Sequence, residues 1–142
     1  GKILKKFKFD LVQVPLNIFD QRLINSGWLK KMKNKKIEVH ARSIFLQGIL
    51  LLKRNELPKK LKKFSKYWEL WESWLKIHKL SALQACILFV VNQNKLDGII
   101  VGCDSKENLT EILKSKNMRK KKFLGLKLKI NDKKLIDPRN WT

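Results

Sequence analysis

The sequence lacks the features that mark membrane-spanning and secreted proteins. It contains no run of eighteen apolar residues, so no segment has the length needed to cross a bilayer as a helix. Residues 1–8 also lack the uninterrupted apolar stretch of a secretory signal. We therefore expect a soluble, cytoplasmic protein without a membrane partner. With 44% hydrophobic residues over 142 positions, the chain is long and apolar enough to fold around one core.

Cysteine and histidine are both scarce, with two residues of each. Cys86 and Cys103 stand in apolar surroundings and form no CxxC pair, so the sequence suggests neither a disulfide framework nor a zinc ribbon. We predict that both are small core residues. His40 and His78 belong to no His, Cys and carboxylate cluster with metal-ligand spacing, and we expect no structural metal.

Acidic residues are few compared with basic ones. The chain has 12 Asp and Glu against 33 Lys and Arg, for a formal net charge of +21. Such a field attracts nucleic acid, anionic lipid or phosphorylated ligands, subject to screening by salt. Only five of the basic residues are arginine, the residue that nucleic-acid readers favour for bidentate recognition. We interpret the lysine runs at 30–36 and 114–122 as solvated surface, and we expect no specific nucleic-acid partner.

Three short apolar segments predict β-strands. Residues 9–15 (FDLVQVP) close at a proline, and residues 37–41 (IEVHA) follow a break in the preceding helix. Residues 98–101 (GIIV) are wholly apolar, which is typical of a parallel strand covered on both faces. The sequence therefore predicts a small parallel sheet.

Helical periodicity occupies the segments between and after these strands. A loop at residues 25–27 precedes a short basic helix at 28–33. Residues 57–79 carry apolar side chains at alternating spacings of four and three, with Pro58 suited to the first turn. That stripe contains three tryptophans, and we predict that it packs on the core. The tryptophans are Trp68, Trp71 and Trp74.

Two further helices have recognisable N-termini. Ser81 and Gln84 form a capping box ahead of a strongly apolar helix that we expect to be largely buried. The last helix follows residues 102–108, with Asp104 or Ser105 as its N-cap and with leucine and isoleucine on one face. Leu109, Ile112 and Leu113 form that face. A lysine-rich connector and a tail then follow, and we expect the aliphatic residues of the tail and Trp141 to pack against a larger body.

The order of elements predicts an incomplete parallel sheet. Strand, helix, strand, a long excursion with a helix, strand and helix is the rhythm of right-handed βαβ units. The excursion starts with an apolar loop at residues 42–52, in which Gly48 is suited to unusual dihedrals. Three parallel strands leave two bare edges, which natural domains avoid. We therefore expect residues 1–142 to be one partial domain of a longer protein, with residues missing before Gly1.

Several ordered segments resemble the C-terminal half of the aldo-keto reductases. They are LVQVPLNIFDQR, VHARSIFLQGILL, SALQACILFVVNQNKLDGIIVGCDSKENLTEIL and the terminal LIDPRNW. The resemblance implies an α/β fold, the C-terminal half of a (β/α)8 TIM barrel, in which the three strands are the sixth, seventh and eighth. Active sites of such barrels lie at the carboxyl ends of the strands.

The resemblance also implies a site for NADP or NAD. Gln13 matches a glutamine that binds the nicotinamide carboxamide, for which an amide with donor and acceptor is suited. Arg42 stands where many members have an aromatic residue that stacks on the nicotinamide, and a planar guanidinium also stacks. Ser43 and the loop up to Gly48 match the segment that contacts the pyrophosphate.

The segment at residues 102–111 matches the part of the family that wraps the adenosine phosphate. A helix N-terminus there supplies free N–H groups and a positive dipole end. The implied cofactor-binding residues are Gly102, Asp104, Ser105, Asn108 and Glu111. Gly102 replaces a frequent lysine and Asn108 replaces a frequent arginine, so the resemblance leaves the choice between NADP and NAD open.

The catalytic residues of the family have no counterpart in this chain. In the family, the proton-donating tyrosine and its lysine, aspartate and histidine partners belong to the N-terminal half of the barrel. Tyr67, the single tyrosine, lies on the tryptophan-bearing helix and does not match that residue. We predict a fragment of a reductase that moves hydride between a nicotinamide cofactor and a small-molecule carbonyl substrate, inactive without the missing N-terminal half.

Two other hypotheses stay open from the sequence. The first is a basic nucleic-acid-binding module that uses lysine patches and tryptophans, which would bind DNA or RNA at low salt. The second is a short domain that dimerises to complete a barrel. We rank both below the reductase fragment.

Overall fold

Three parallel strands form one sheet in the part of the chain that the structure describes. The structure is a computed structural model, and it describes residues 2–117, Phe123, Ile130 and residues 132–141. Strands β1 (Leu11–Pro15), β2 (Glu38–Arg42) and β3 (Gly98–Ile99) lie in the order β1-β2-β3. Gln13 pairs with His40 across β1 and β2, and His40 pairs with Gly98 across β2 and β3. The predicted parallel sheet is confirmed.

Helices connect and follow the strands of this sheet. The α-helices are α1 (Lys2–Lys6), α2 (Arg22–Asn25), α3 (Trp28–Asn34), α4 (Ser65–His78), α5 (Ala82–Val91), α6 (Lys106–Lys116) and α7 (Lys133–Ile136). Short 3-10 turns occupy Ile49–Leu51, Arg54–Glu56, Lys59–Phe64 and Pro138–Asn140. Asn25, expected in a loop, is the last residue of α2, and the loop contains only Ser26 and Gly27.

The two faces of β2 have opposite characters. Val39 and Ala41 are fully buried, whereas Glu38 and Arg42 are exposed and His40 is half-buried, as expected for side chains that alternate with a period of two. Val39 packs with Leu29, Met32 and Ile37 on the side of α3. The opposite face carries Glu38, His40 and Arg42, and it is the polar face of the sheet.

Tryptophans dominate the larger core. Trp68, Trp71 and Trp74 are 0%, 1% and 9% exposed, so the prediction that their stripe packs on the core is confirmed. Trp68 meets Phe19 edge to face, with 5.1 Å between ring centroids. Because the three rings are enclosed, they offer no face on which a nucleic-acid base could stack.

The helix predicted at residues 57–79 starts later than expected. The α-helix begins at Ser65, and the preceding residues wind as 3-10 turns. Leu61 N donates to Pro58 O at 2.8 Å, an i to i+3 bond. Leu57 and Leu61 are nevertheless buried. Leu57 is extended between two 3-10 turns, and the spacing of three between Leu61 and Phe64 suits the three residues per turn of a 3-10 helix.

The helix α5 agrees with its prediction in detail. Ser81 Oγ accepts from Gln84 N at 3.1 Å, and Gln84 Oε1 accepts from Ser81 N at 3.0 Å. This reciprocal capping box starts a helix whose residues 85–90 are all buried. Cys86 lies among them, and burial raises the pKa of its thiol. The prediction of a buried core cysteine is therefore confirmed for Cys86.

Two expectations for the region around β3 need correction. Cys103 is exposed, because it lies in the loop after β3 rather than in the core. The strand is also shorter than residues 98–101, since its ladder ends at Ile99, although Ile100 N still donates to Ala41 O at 2.8 Å. Leu109 and Leu113 form an apolar face of α6, and these two residues are 45% and 55% exposed, respectively.

The C-terminal segment folds back on the core where it is described. Ile130, Leu135 and Ile136 are buried, and Trp141 Nε1 donates to Leu135 O at 3.1 Å. Arg139 binds the Asp137 carboxylate through two nitrogens, which lowers the pKa of that carboxyl to about 2. These apolar residues pack against the core of this chain, and packing against a larger body stays a prediction. The rest of the predicted connector and tail, at 118–122, 124–129, 131 and 142, lies outside the described residues.

No single described helix has both the length and the apolar character needed to cross a membrane. One pair of consecutive helical segments, Lys59–His78 and Ala82–Val91, has together the length and composition of a membrane span. The chain bends by 85° between the two segments.

Candidate functional site

A cavity of about 420 Å³ lies at the carboxyl ends of β2 and β3. The carboxyl ends of parallel strands meet at one edge of a sheet, so the loops that follow the two strands form its walls. The loop after β2 contributes Arg42, Ser43, Ile44, Phe45, Gln47, Gly48 and Leu51. The segment after β3 contributes Ile100, Val101, Gly102, Cys103 and Asp104, and helices α5 and α6 add Leu83, Asn108 and Ile112.

The loop after β2 has an unusual backbone. Leu46, Gln47 and Gly48 follow one another with φ angles of 48°, 55° and 82°, in the left-handed region that favours glycine. The prediction of unusual dihedrals at Gly48 is confirmed. Among the described residues, the N–H groups of Gln47 and Gly48 donate to no acceptor. Successive N–H groups in such a turn form a concave surface that binds anions.

A buried asparagine holds this loop against the end of β1. Asn17 Nδ2 donates to Ser43 O at 3.1 Å, and its Oδ1 accepts from Phe19 N and Asp20 N at 3.0 and 2.8 Å. Ser43 O also accepts from Leu46 N at 2.9 Å, and Ser43 itself has a φ of 55°. Because Asn17 is only 1% exposed, its amide fixes the loop from inside the core.

Sequence reasoning missed Asn17. The available signal was its place two residues after the proline that closes β1, in a short turn whose Leu16, Ile18 and Phe19 side chains are buried. Asparagine side chains in such turns accept from backbone N–H groups two and three residues on. That rule predicts the local bonds, but not the bond to Ser43, which lies 26 residues further along the chain.

Two charged side chains line the cavity among the described residues. Arg42 Nη1 donates to Ser43 Oγ at 3.2 Å, so the guanidinium lies beside the loop. Asp104 is exposed in the segment after β3 and makes neither an ion pair nor a hydrogen bond with a described residue. The positive charge of Arg42 and the negative charge of Asp104 therefore lie on different walls of the cavity, and the two side chains form no ion pair.

The N-terminus of α6 starts beside the cavity. Ser105 Oγ accepts from Asn108 N at 3.0 Å, which makes Ser105 the N-cap, one of the two residues predicted for that position. Asn108 itself lines the cavity. The positive end of the helix dipole therefore adds to the attraction of this region for an anion.

Five of the eight residues predicted to bind a cofactor line this cavity: Arg42, Ser43, Gly102, Asp104 and Asn108. Ser105 is adjacent as the helix cap. Glu111 lies on another side of α6, with Oε1 3.5 Å from Ser81 Oγ, and it lines a separate groove with Lys106 and Lys114. Gln13 is exposed on β1, beside His40 of β2 and outside the cavity.

The polar face of the sheet carries a second group of side chains. His40 Nε2 lies 2.6 Å from Glu38 Oε1, and the ring packs over β3. A Cβ added at Gly98 would stand 2.7 Å from His40 Cδ2, so a glycine at that position leaves room for the ring. Sequence reasoning did not identify this pair. In residues 2–117 and the described part of the tail, no group of three or more His, Cys, Asp and Glu could hold a metal ion.

Comparison with known families gives one match. The model of the aldo/keto reductase family matches residues 2–123 of the chain, which includes the sheet and the cavity. No curated protein and no solved structure matches the chain.

Proposed function

Because the chain belongs to the aldo/keto reductase family of oxidoreductases, we propose that residues 1–142 form one partial domain, the C-terminal half of a (β/α)8 barrel. In this proposal β1, β2 and β3 are the sixth, seventh and eighth barrel strands. The open parallel sheet supports it, because a barrel strand needs a neighbour on both sides. The partner is the N-terminal half of the barrel.

Exposed apolar side chains at both edges of the sheet support the same proposal. Leu11 of β1 is exposed, and so are Ile3 and Phe7 in the segment that precedes this strand. Ile100, Leu109 and Leu113 are exposed next to β3 and α6. Exposed apolar groups beside unpaired strands promote aggregation unless further strands and helices cover them. The two groups stand where a closing half-barrel would pack.

The function that we propose is the binding of NADP or NAD in a reductase that acts on a small-molecule carbonyl compound. A nicotinamide cofactor supplies or accepts the hydride when it is bound, and the protein positions it. The residues of the cavity fit such a group. Unpaired N–H groups at Gln47 and Gly48, the Arg42 guanidinium and the N-terminus of α6 all favour a pyrophosphate.

Each predicted site residue takes one role in this proposal. Arg42 stacks on the nicotinamide, and Ser43 with the left-handed loop holds the pyrophosphate. Gly102, Asp104, Ser105 and Asn108 surround the adenosine half, with Glu111 at the outer side of α6. These roles come from the family resemblance, and the cavity is the observation that supports them.

Gln13 has a different place in the proposal, because it lies on the polar face of the sheet. In a barrel this face is the interior, and Gln13 would reach the nicotinamide carboxamide there.

The chain alone is expected to be inactive. Tyr67 contacts Phe19 and Phe64, in the core and away from the cavity, so it is not placed to give a proton to a substrate there. The catalytic tyrosine, lysine, aspartate and histidine of the family would come from the N-terminal half.

One observation supports the proposal most strongly: three groups that attract anions lie at one cavity. They are the unpaired N–H groups of Gln47 and Gly48, the Arg42 guanidinium and the N-terminus of α6. The test is titration of NADH and NADPH, followed by fluorescence, against the 142-residue chain and against a longer polypeptide that includes an N-terminal half. We expect carbonyl-dependent oxidation only with the longer polypeptide, and weaker binding after Arg42→Ala in both. Lys30→Ala removes an exposed positive charge outside the cavity and should leave binding unchanged. Absence of cofactor binding by both polypeptides would refute the proposal.

A further inference from the structure

The charges around the cavity favour one form of the cofactor over the other. The two dinucleotides differ by a phosphate on the 2′-oxygen of the adenosine ribose. Arg42, on the β2 wall, is the one basic side chain among the described residues that line the cavity. The wall formed by the segment after β3 and the start of α6 carries Asp104 and no basic residue.

We propose that this site selects the dinucleotide without a 2′-phosphate, and that Asp104 determines the selection. The inference rests on the proposed function, which brings the adenosine half of the cofactor against residues 102–111. A carboxylate there accepts a hydrogen bond from the ribose 2′-hydroxyl, as acidic residues do in the NAD sites of doubly wound folds. The same carboxylate repels a 2′-phosphate, whose recognition requires a positive group.

The state of Asp104 fits this role. Its side chain is exposed and pairs with no described residue, so its hydrogen-bonding capacity is available to a ligand. It directly precedes Ser105, the N-cap of α6, and the capping bond to Asn108 N fixes the start of the helix. The backbone that carries the Asp104 carboxylate is therefore held in place at the start of α6.

Among the described residues that line the cavity on this wall, none supplies a positive charge to counter Asp104. Gly102 has no side chain. A Cβ added there would meet nothing within 4 Å, so the structure has room for a larger residue at this position. Asn108 is neutral. Lys106 lines the separate groove with Glu111 and Lys114.

The net charge of +21 acts against the proposed selection and must be separated from it. A strongly basic surface attracts the additional phosphate at long range. Salt screens that attraction within about 8 Å at physiological ionic strength, whereas contact with Asp104 is short-range. The preference for the unphosphorylated ligand should therefore increase as salt is raised from low concentration to about 0.15 M.

The test is isothermal titration of the 142-residue chain with ADP-ribose and with 2′-phospho-ADP-ribose. These fragments contain the adenosine and pyrophosphate groups but no nicotinamide, so they probe the cavity without any reaction. We expect ADP-ribose to bind about tenfold more tightly at about 0.15 M salt, a difference of about 1.4 kcal/mol. Asp104→Asn should reduce this ratio, and Asn108→Arg should reduce it further by attracting the phosphate.

Glu69→Gln is the matched control, because it removes one negative charge from the exposed side of α4, at a residue that does not line the cavity. It should leave the ratio unchanged. Binding of both fragments with equal affinity, or tighter binding of the phosphorylated one, would overturn the inference and leave the proposed function standing. An unchanged ratio in Asp104→Asn would overturn the role of Asp104. If neither fragment binds to the 142-residue chain, the inference is overturned, and the proposed function is then judged by the titration of NADH and NADPH against both polypeptides.

Discussion

Asn17 shows how much one buried side chain contributes to the candidate site. Its amide binds two backbone N–H groups of its own turn and the carbonyl of Ser43 in the loop that lines the cavity. A buried polar group that loses its partner costs about 1–3 kcal/mol. Asn17 therefore stabilises the turn after β1 and the shape of the anion-binding loop together.

We predict that Asn17→Ala lowers the free energy of unfolding by about 2–3 kcal/mol, because it leaves the buried backbone N–H groups of Phe19 and Asp20 without partners and removes one of the two hydrogen bonds to Ser43 O. Urea denaturation followed by circular dichroism measures this. Asn140→Ala is the matched control, since Asn140 Nδ2 also donates to a backbone carbonyl, that of Lys133, but is exposed. We expect a loss below about 1 kcal/mol for the control. Equal losses for the two variants would contradict the role assigned to Asn17.

Among the described residues, a buried hydrogen bond joins helix α4 to the loop after β2. Trp71 Nε1 donates to Leu50 O at 3.1 Å, and both residues are buried. The tryptophan helix therefore supports the outer end of the loop, while Asn17 supports the inner end. The cavity wall is held at two points by elements that are distant in the sequence.

Local patterns predicted most of the elements, and distant contacts explain what they missed. The capping box at Ser81 and the cap at Ser105 depend on neighbours three residues away, so the sequence was sufficient. The exposure of Cys103 depends on where β3 ends, and the bond from Asn17 to Ser43 depends on the packing of two loops. Short-range periodicity contains no information on either.

Asp97 connects three elements and makes their contact sensitive to pH. Its carboxylate lies 2.6 and 2.7 Å from Lys33 Nζ of α3 and accepts from Val39 N of β2 at 2.8 Å, directly before β3 begins. The bond to Lys33, followed by the bond to Val39, lowers the pKa of Asp97 below its ordinary value of 3.8. Folding therefore favours the ionised form of this carboxyl.

A lowered pKa in the folded state stabilises the protein above the unfolded pKa, and this contribution is lost as the pH falls through the folded pKa. We predict that Asp97→Asn costs roughly 1 kcal/mol at pH 7, and that the difference from the unmodified chain shrinks below about pH 4. Thermal unfolding between pH 7 and pH 3 measures this. Asp10→Asn, in an exposed residue whose carboxyl has no partner among the described residues, should show neither effect. A constant difference at all pH values would refute the prediction.

At the scale of the whole molecule, the open sheet decides how the chain behaves in solution. The edge formed by β3 and α6 exposes Ile100, Leu109 and Leu113, and no described strand pairs with β3 on that side. Unpaired edges beside apolar side chains associate with whatever strand or helix can cover them. The net charge of +21 opposes association between copies at low salt, and screening removes that opposition as salt is added.

We therefore predict that the 142-residue chain self-associates more strongly at about 0.5 M salt than at low salt, and that Leu113→Lys weakens this association without lowering the melting temperature. Sedimentation velocity measures the first effect, and thermal unfolding measures the second. Ile77→Lys places the same charge on a side chain that is 74% exposed on α4, away from either edge of the sheet, so it should leave the association unchanged. If the two variants reduce association equally, charge alone is responsible. If the chain stays monomeric at all salt concentrations, the edges of the sheet are already protected against association. The proposal that a second half-barrel covers these edges would then lose its main support.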